Sequence, residues 1–182
     1  TPVWVRSAEA PRYTIGELVS AMRTVERLLM SGNVQVREAD PAGADAQRCI
    51  RAYFAELDRR SDTGFDPGSS LPADPDDFVA PRGSFLVAHQ GDEPVGCGGV
   101  RHLEGRVSEF KRMWVAESVR GLGVGRRLLH ELETRAREAG SSAVRLDTNE
   151  TLVEAISMYR SAGYAEVSPF NDEYFAHHWF RK

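Results

Sequence analysis

The sequence predicts one α/β (α+β) domain preceded by a helical appendage. Its 182 residues suffice for a single domain with a core of its own. A composition of 41% hydrophobic and 27% charged residues is typical of folded globular proteins, not of disordered or membrane proteins. Amphipathic helical stretches alternate with short apolar strands along the chain. We therefore assign residues 1–33 to the appendage and 34–182 to the domain.

The appendage contains a predicted helix over residues 14–29. Thr14 supplies an N-cap, Glu17 follows three positions later, and Gly32 lies just beyond the end. Two interpretations of its apolar stripe stay open: the helix packs on its own domain, or it is a dimer helix or the last helix of an upstream domain. The stripe consists of Ile15, Leu18, Val19, Met22, Val25, Leu28 and Leu29.

The domain is predicted to begin with a short strand and a helix whose first turn contains Pro41. A loop rich in Asp, Pro and Gly follows, with at most one helical turn. In the third strand, Gly96, Gly98 and Gly99 predict a bulge or a close backbone approach. The predicted strands are 34–37, 84–89, 94–102, 107–115, 143–146, 164–167 and 174–180; the helices are 41–59, 124–139 and 152–161; the loop is 61–82.

Charge and cysteine content disfavour several functional classes. A net charge of -4 gives no general attraction to nucleic acid. Two cysteines, Cys49 and Cys97, are too few for a disulfide scaffold, and no spacing of His, Cys and Asp indicates a metal site. No apolar run approaches the roughly 20 residues of a membrane span. We expect a cytoplasmic protein that binds no metal, membrane or nucleic acid.

A glycine-rich turn joins the strand 107–115 to the following helix. Its sequence is Arg120-Gly121-Leu122-Gly123-Val124-Gly125, and such a turn presents backbone N–H groups at the positive end of a helix, where a pyrophosphate binds well. A Walker loop would end in Gly-Lys-Ser/Thr, which is absent here. An ordinary tight turn and a dinucleotide-binding turn stay open at this point.

Three segments together resemble the GNAT acetyltransferase superfamily: MWVAESVRGLGVGRRLLHELETRAREAG, AVRLDTN and EAISMYRSAGY. The resemblance implies a mixed, mostly antiparallel central sheet of about six or seven strands, splayed at the cofactor site and flanked by helices. It also implies acetyl-coenzyme A as the co-substrate. The amphipathic helix placed directly before such a domain resembles the junction in bacterial proteins that fuse a MarR-type regulator to a GNAT domain.

The resemblance assigns roles to individual residues. Strand residues Met113, Trp114 and Val115 would contact the pantetheine arm, and Asn149 would add a further contact. The turn Gly121, Leu122, Gly123, Val124 and Gly125, with Arg120 and Arg126 at its ends, would hold the pyrophosphate. The family often carries an asparagine where this chain has Leu152.

Two catalytic residues follow from the same resemblance. Tyr159 would return a proton to the departing thiolate, and Glu109 would act as the general base. Strict alternation along the strand predicts that Glu109, Lys111, Met113 and Val115 share one face. The alternative for Glu109 is an ion pair with Lys111 on a solvated face.

The predicted activity is transfer of an acetyl group by direct attack of a primary amine of a small molecule. A protein lysine or N-terminus is the alternative acceptor, and a coenzyme-binding regulatory module is the alternative role. Aspartates between Asp62 and Asp77 are expected near the acceptor, where they would attract a cationic amine. We also expect a homodimer formed through the N-terminal helix.

Overall fold

The computed structural model describes residues 13–61, 64–69 and 73–182, and for residues 26–31 the backbone alone. The helices are α1 (Ile15–Gly32), α2 (Ala44–Arg60), α3 (Val124–Glu138) and α4 (Val153–Ser161). The strands are β1 (Val34–Glu38), β2 (Gly83–Gln90), β3 (Glu93–Leu103), β4 (Val107–Val115), β5 (Ala143–Thr148), β6 (Ala165–Val167) and β7 (His178–Arg181). Short 3-10 turns lie at Pro67–Ser69, Pro75–Phe78 and Glu117–Val119.

The strands form one seven-stranded sheet in the order β1-β2-β3-β4-β5-β7-β6. Each neighbouring pair is antiparallel except β4 and β5, which run parallel. Because α3 connects these two strands, it crosses one face of the sheet as parallel connections require. The expected mixed, mostly antiparallel sheet is confirmed.

The sheet opens between its two parallel strands. Their pairing runs from Val107 opposite Ala143 to Phe110 opposite Leu146 and stops there. Strand β4 nevertheless continues to Val115, and β5 continues to Thr148. The predicted splay is therefore present, and it leaves the second half of β4 without a neighbour on that side.

Two apolar layers sandwich the sheet. The layer beneath α3 and α4 contains Leu128, Leu132, Phe110, Leu146 and Phe180 among its buried residues. The opposite layer, beneath α2, contains Cys49, Ile50, Phe85, Val87 and Cys97. Both cysteines are buried free thiols. A side chain on the sheet therefore faces either α3 and α4 or α2.

A β-bulge in β4 changes which residues share a face. Gly99 pairs with Lys111 and Cys97 pairs with Trp114, so Arg112 and Met113 together oppose the single residue Gly98. A Cβ on Gly98 would come within 2.9 Å of the Leu132 side chain, so α3 approaches the backbone closely there. The prediction of a bulge or close approach among the β3 glycines is confirmed.

The bulge corrects the predicted alternation. Lys111 pairs with Gly99, which pairs in turn with Phe85 of the α2 layer, so Lys111 lies on the α2 face. Glu109, opposite Arg101, lies two residues earlier on the same face. Beyond the bulge, Met113 and Val115 pack into the α3 layer instead. Glu109 and Met113 therefore lie on opposite faces, because one extra residue inverts the period-2 pattern.

The N-terminal helix begins as predicted, with Thr14 as its cap. The Thr14 hydroxyl accepts from the Glu17 N–H at 3.2 Å, and Glu17 accepts from the Thr14 N–H at 2.7 Å, which is a capping box. Its described apolar side chains are exposed rather than packed on the domain: Ile15, Leu18, Val19, Met22 and Val25; the side chains of Leu28 and Leu29 lie outside the described residues. The interpretation that this stretch lies on its own domain is therefore wrong, and the homodimer and the fusion ancestry stay predictions.

Other boundaries differ from the predictions for local reasons. Pro41 lies in a turn before α2, where the Asp40 carboxylate accepts from the Ala42 N–H at 2.9 Å, not in the first helical turn. In the described part of 61–82, two 3-10 turns occur where at most one helical turn was expected, and each contains a proline. The last strand begins at His178 rather than residue 174, because β5, its partner, ends at Thr148 opposite His178.

Among the described helices, none combines the length and apolar character needed to cross a bilayer. The cytoplasmic location stays a prediction.

Candidate active site

A cavity of about 540 Å3 lies where the sheet opens. Its walls are the end of β4, the turn before α3, and facing residues of α2 and α4, and we name it the glycine-turn cavity. The lining residues include Met113, Trp114, Val115, Arg120, Gly121, Gly123, Val124, Gly125, Arg126, Glu56, Met158 and Tyr159. Nearly all of the residues predicted to bind the coenzyme are thus brought together.

The glycine turn exposes its backbone to this cavity. Gly121 and Gly123 have φ of 75° and 83°, and a Cβ built on either meets no atom within 4 Å. Gly123 is the N-cap of α3, so the first N–H groups of the helix have no intrahelical acceptor. Helix N-termini of this kind bind anionic groups through their N–H donors and the helix dipole. The turn therefore fits a pyrophosphate.

Gly125 serves a different purpose, namely close packing. A Cβ there would lie 3.2 Å from the Met158 sulfur and 3.6 Å from a Val115 methyl. Because Gly125 has no Cβ, the first turn of α3 can approach both β4 and α4, and this approach narrows the cavity between them.

A buried carboxylate, Glu56 on α2, fixes the outer wall of the glycine-turn cavity. It accepts hydrogen bonds from the Trp114 indole at 2.8 Å and from Arg120, and it pairs with Arg60 at 2.8 Å. Burial alone would raise the pKa of Glu56, but the hydrogen bonds from Arg120 and Trp114 outweigh it and hold this pKa below the ordinary value of 4.5. Sequence reasoning missed Glu56, since two of its partners, Trp114 and Arg120, are more than fifty residues away.

The Arg120 guanidinium is engaged within the protein. Besides Glu56, it donates to the Val115 carbonyl at 3.0 Å. It therefore holds the end of β4 against α2, and the turn's backbone and Arg126 are left as the groups that face outward at the cavity.

Two residues predicted to bind the coenzyme lie elsewhere. The Leu122 side chain packs on the α3 layer and lines neither cavity. Asn149 lines the neighbouring cavity, and its amide donates to the Phe175 carbonyl at 2.8 Å and accepts from the Thr151 N–H at 2.9 Å. Asn149 shapes the β5–α4 connection instead, because its polar atoms already have partners.

The second cavity, of about 150 Å3, lies between α2 and α4 at the end of β5. We name it the aromatic cavity after its walls, Tyr53, Phe54, Phe65 and Phe175, whose rings contact one another in sequence. Its charged lining residues are Lys111, Arg112, Asp147 and Glu173. Lys111 bridges to Asp147 at 2.7 Å and to Glu173 at 3.7 Å.

The loop aspartates do not form the expected acidic lining. Asp66 and Asp74 accept from backbone N–H groups of their own turns. Asp76 pairs with Arg82 at 3.5 Å, and Asp77 pairs with Arg101 at 3.3 Å. None of these four described aspartates lines the aromatic cavity, to which the loop contributes Phe65, Pro67 and Ala73 instead. Asp62 lies outside the described residues.

Tyr159 lies at the junction of the two cavities. It lines both, as do Tyr53 and Met113, and its hydroxyl lies 3.6 Å from the Met113 sulfur. The side chain is only 5% exposed. Burial raises the pKa of Tyr159 far above its ordinary value, and the nearby charge of Asp147 raises it further. The phenol therefore stays protonated and available as a donor.

Glu109 is placed away from both cavities. It is fully buried, with ion pairs to Arg101 at 2.6 Å and to Arg145 at 3.3 Å. It lines neither cavity, and its predicted partner Lys111 pairs with Asp147 instead. The expectation that its carboxylate faces the cofactor groove does not hold, because the bulge at Arg112 separates the two faces.

Within the described ranges, no three metal-ligating side chains come together.

Comparison with known proteins agrees with this geometry. Residues 51–164 match the model of the acetyltransferase (GNAT) family. The chain is 35% identical over 139 residues to an IAA acetyltransferase of Azospirillum brasilense, covering 76% of this chain and 88% of that protein. It is 34% identical over 128 residues to the N-alpha-acetyltransferase RimI of Mycobacterium tuberculosis, covering 68% and 75%.

The fold has a similar solved counterpart. An acetyltransferase of the GNAT family from Staphylococcus aureus Mu50 superposes with a TM-score of 0.68 at 17% identity, covering 82% of this chain and 98% of that one. The family match spans the splayed strands, the glycine turn and the junction tyrosine, so this chain belongs to the GNAT acetyltransferase family.

Proposed function

We propose that this enzyme transfers the acetyl group of acetyl-coenzyme A to a primary amine of a small molecule by direct attack. The observation that carries the proposal is the position of Tyr159, where the glycine-turn cavity meets the aromatic cavity. A donor and an acceptor bound in the two cavities would meet beside its hydroxyl. Such proximity removes most of the entropic barrier to a two-substrate reaction.

The glycine-turn cavity is the coenzyme site of this proposal. The N–H groups at the start of α3, beginning at the N-cap Gly123, would hold the pyrophosphate, and Arg126 would add positive charge. The unpaired end of β4, with Met113 and Val115, would receive the pantetheine arm in the gap between the strands.

The aromatic cavity is the acceptor site. The neutral amine attacks the thioester carbonyl, forming the C–N bond as the C–S bond breaks. Tyr159 gives its proton to the departing thiolate, and the nitrogen returns a proton to the phenolate, so the protein ends unchanged. Asp147, whose charge acts on Tyr159, would draw the acceptor ammonium toward the junction, where the ammonium gives one proton to solvent water before the attack.

The small volume of the aromatic cavity supports a small acceptor over a folded protein. A protein N-terminus is the second candidate, because one relative is named an N-alpha-acetyltransferase. A flexible N-terminal residue could enter the same cavity, so the two candidates differ in the size of acceptor that is turned over.

Thiol release from acetyl-coenzyme A tests the proposal. The purified chain is mixed with acetyl-coenzyme A and a panel of small amines and of peptides with a free N-terminus. The released thiol is measured with a colorimetric thiol reagent. Calorimetric titration with coenzyme A measures binding separately. We expect binding with amine-dependent release that is faster for small amines. Faster release with peptides would favour the second candidate, and binding without acceptor-dependent release would contradict the enzyme.

A further inference from the structure

The aromatic cavity holds two cations with different surroundings. Lys111 is bridged to both cavity carboxylates, Asp147 and Glu173. The Arg112 guanidinium has no carboxylate oxygen within 4 Å among the described residues. Among the same residues, the Arg112 guanidinium donates a hydrogen bond to the Ala73 carbonyl, at 3.0 Å. The charges of the cavity are therefore separated, with negative charge around Lys111 and positive charge at Arg112.

Arg112 is half-buried, which makes the missing counter-ion significant. Burial lowers the pKa of its guanidinium, so the surroundings disfavour the charged form. The Phe54 ring lies 5.1 Å from its central carbon and offers partial compensation through a cation–π contact. A guanidinium has five N–H donors, and most of these have no acceptor among the residues that the structure describes. A planar anion at this position would satisfy them in pairs.

The backbone holds Arg112 in this position at a conformational cost. Its φ is 57°, a left-handed value that residues other than glycine rarely adopt. The strain belongs to the bulge in β4, which places its side chain toward Phe54 and Ala73 at the aromatic cavity. Bulges beside functional sites often redirect a side chain in this way.

We infer that Arg112 binds a carboxylate of the acceptor, so that the substrate is an amino acid or a similar compound bearing both a primary amine and a carboxylate. This deepens the proposed function and rests on it. The carboxylate would dock on Arg112 against Phe54, while the ammonium would lie near Asp147 on the Tyr159 side. The separated charges of the cavity match this bipolar ligand in sign.

Matched acceptors test the inference. Alanine, phenylalanine, β-alanine and γ-aminobutyrate are each compared with their carboxamides, which keep the amine and remove the negative charge. For at least one pair, we expect kcat/KM of the wild type to favour the acid by about tenfold to a hundredfold, the range of a charge-assisted hydrogen bond. In R112Q this preference should fall to near one, and R112K should retain part of it.

The choice of variants separates binding from folding. Glutamine keeps the Cβ of arginine, so the backbone strain at this position is the same in both proteins. R48Q is the control, because Arg48 pairs with Glu93 on the surface and lines neither cavity. We expect R48Q to keep the acid preference, whereas R112Q should lose more kcat/KM for the acids than for the carboxamides.

A binding measurement distinguishes failure of the inference from failure of the proposed function. The N-acetylated acids and their carboxamides are titrated into the protein in the presence of coenzyme A. Tighter binding of at least one acid, lost in R112Q, supports the role of Arg112 whether or not turnover occurs. Equal affinities for every acid and its amide, or an acid preference that survives in R112Q, would overturn it. Absence of thiol release with every amine would contradict the proposed function alone.

Discussion

The two cavities of this enzyme are built in different ways. The glycine-turn cavity has its proposed anion-binding backbone in one stretch of chain, from Met113 to Arg126, while α2 and α4 supply the facing walls. The aromatic cavity takes its polar groups from side chains of α2, β4, β5 and the segment before β7, joined by the loop after α2. The glycine turn of the first cavity is local in sequence, whereas the polar groups of the second cavity come from distant segments.

This difference has a physical consequence. Backbone N–H groups are the same whatever the side chains, so a glycine turn can bind the same phosphate-bearing ligand as long as its conformation is kept. Side-chain walls can change one residue at a time without altering the sheet, so acceptor specificity can vary through the aromatic cavity if that cavity binds the acceptor as proposed. Substitutions in the two cavities should therefore affect different steps of the reaction.

The largest effect on the reaction is expected at the junction, from Tyr159→Phe. Removing the hydroxyl should lower kcat about a hundredfold or more, the contribution of a positioned proton donor, and leave coenzyme A binding nearly unchanged. Tyr164→Phe is the control, since Tyr164 donates to Glu133 at 3.0 Å and lines neither cavity. Steady-state kinetics and calorimetry measure both; a wild-type kcat in Tyr159→Phe would remove its role as acid.

A smaller effect, confined to the donor side, is expected from Gly123→Val. A branched side chain is strained at φ of 83°, and relief of that strain would turn the first N–H groups of α3 away. We expect coenzyme A to bind about tenfold or more weakly. Gly91→Val is matched in strain, at φ of 62° in open space, but lies in the β2–β3 turn away from both cavities. Equal loss of binding in both variants would contradict the backbone cradle.

A third effect concerns stability and its pH dependence, from Glu56→Gln. Because the folded protein lowers the pKa of Glu56, its stabilising contribution is complete above the ordinary value of 4.5 and is lost as the pH falls through the lowered pKa. We expect the variant to be about 1–3 kcal/mol less stable at neutral pH, with the difference from wild type shrinking below pH 4.5.

Urea unfolding at several pH values measures this difference. Glu93→Gln is the control, since its ion pair with Arg48 is exposed and should contribute less than about 1 kcal/mol. A difference for Glu56→Gln that grows in acid would contradict the assigned sign. We also expect coenzyme A to bind a few-fold more weakly, because Arg120 would lose the partner that holds the end of β4.

The smallest effect on the reaction is expected from Glu109→Gln. Because Glu109 lines neither cavity, the shape of the pH–rate profile should match that of the wild type. The free energy of unfolding should fall by about 3 kcal/mol, since Arg101 and Arg145 lose a buried counter-ion. Loss of a limb from the profile would restore Glu109 as the base and contradict its structural role.

Regular elements with strong local patterns were predicted well. Strand β4 has the predicted bounds, α3 differs by one residue at its end, and Thr14 caps α1 with Glu17 as its partner. These features depend on periodicity and capping within a few residues, which a sequence displays directly. The last strand was predicted less well, because its start depends on where β5 stops.

The residues of the candidate site also fall into those that local motifs predicted and those that depend on distant segments. The glycine turn and Tyr159 were recognised from contiguous motifs, and both lie at the cavities. Glu56 and the partners of Lys111 were missed, since buried ion pairs join residues far apart in the chain. The loop aspartates were assigned to the acceptor from composition alone, but the four that are described satisfy their own turns or nearby arginines.

The sequence by itself determined the helices, the strands and the glycine turn, because each depends on side-chain periodicity or on a backbone conformation that glycine permits. Only the tertiary structure decided that Glu109 faces away from Met113 and that Arg112 reaches the aromatic cavity. Both outcomes come from one extra residue in β4 opposite Gly98, where α3 lies against β3. Register across strands is a relation between distant segments, so the order of residues along one strand does not contain it.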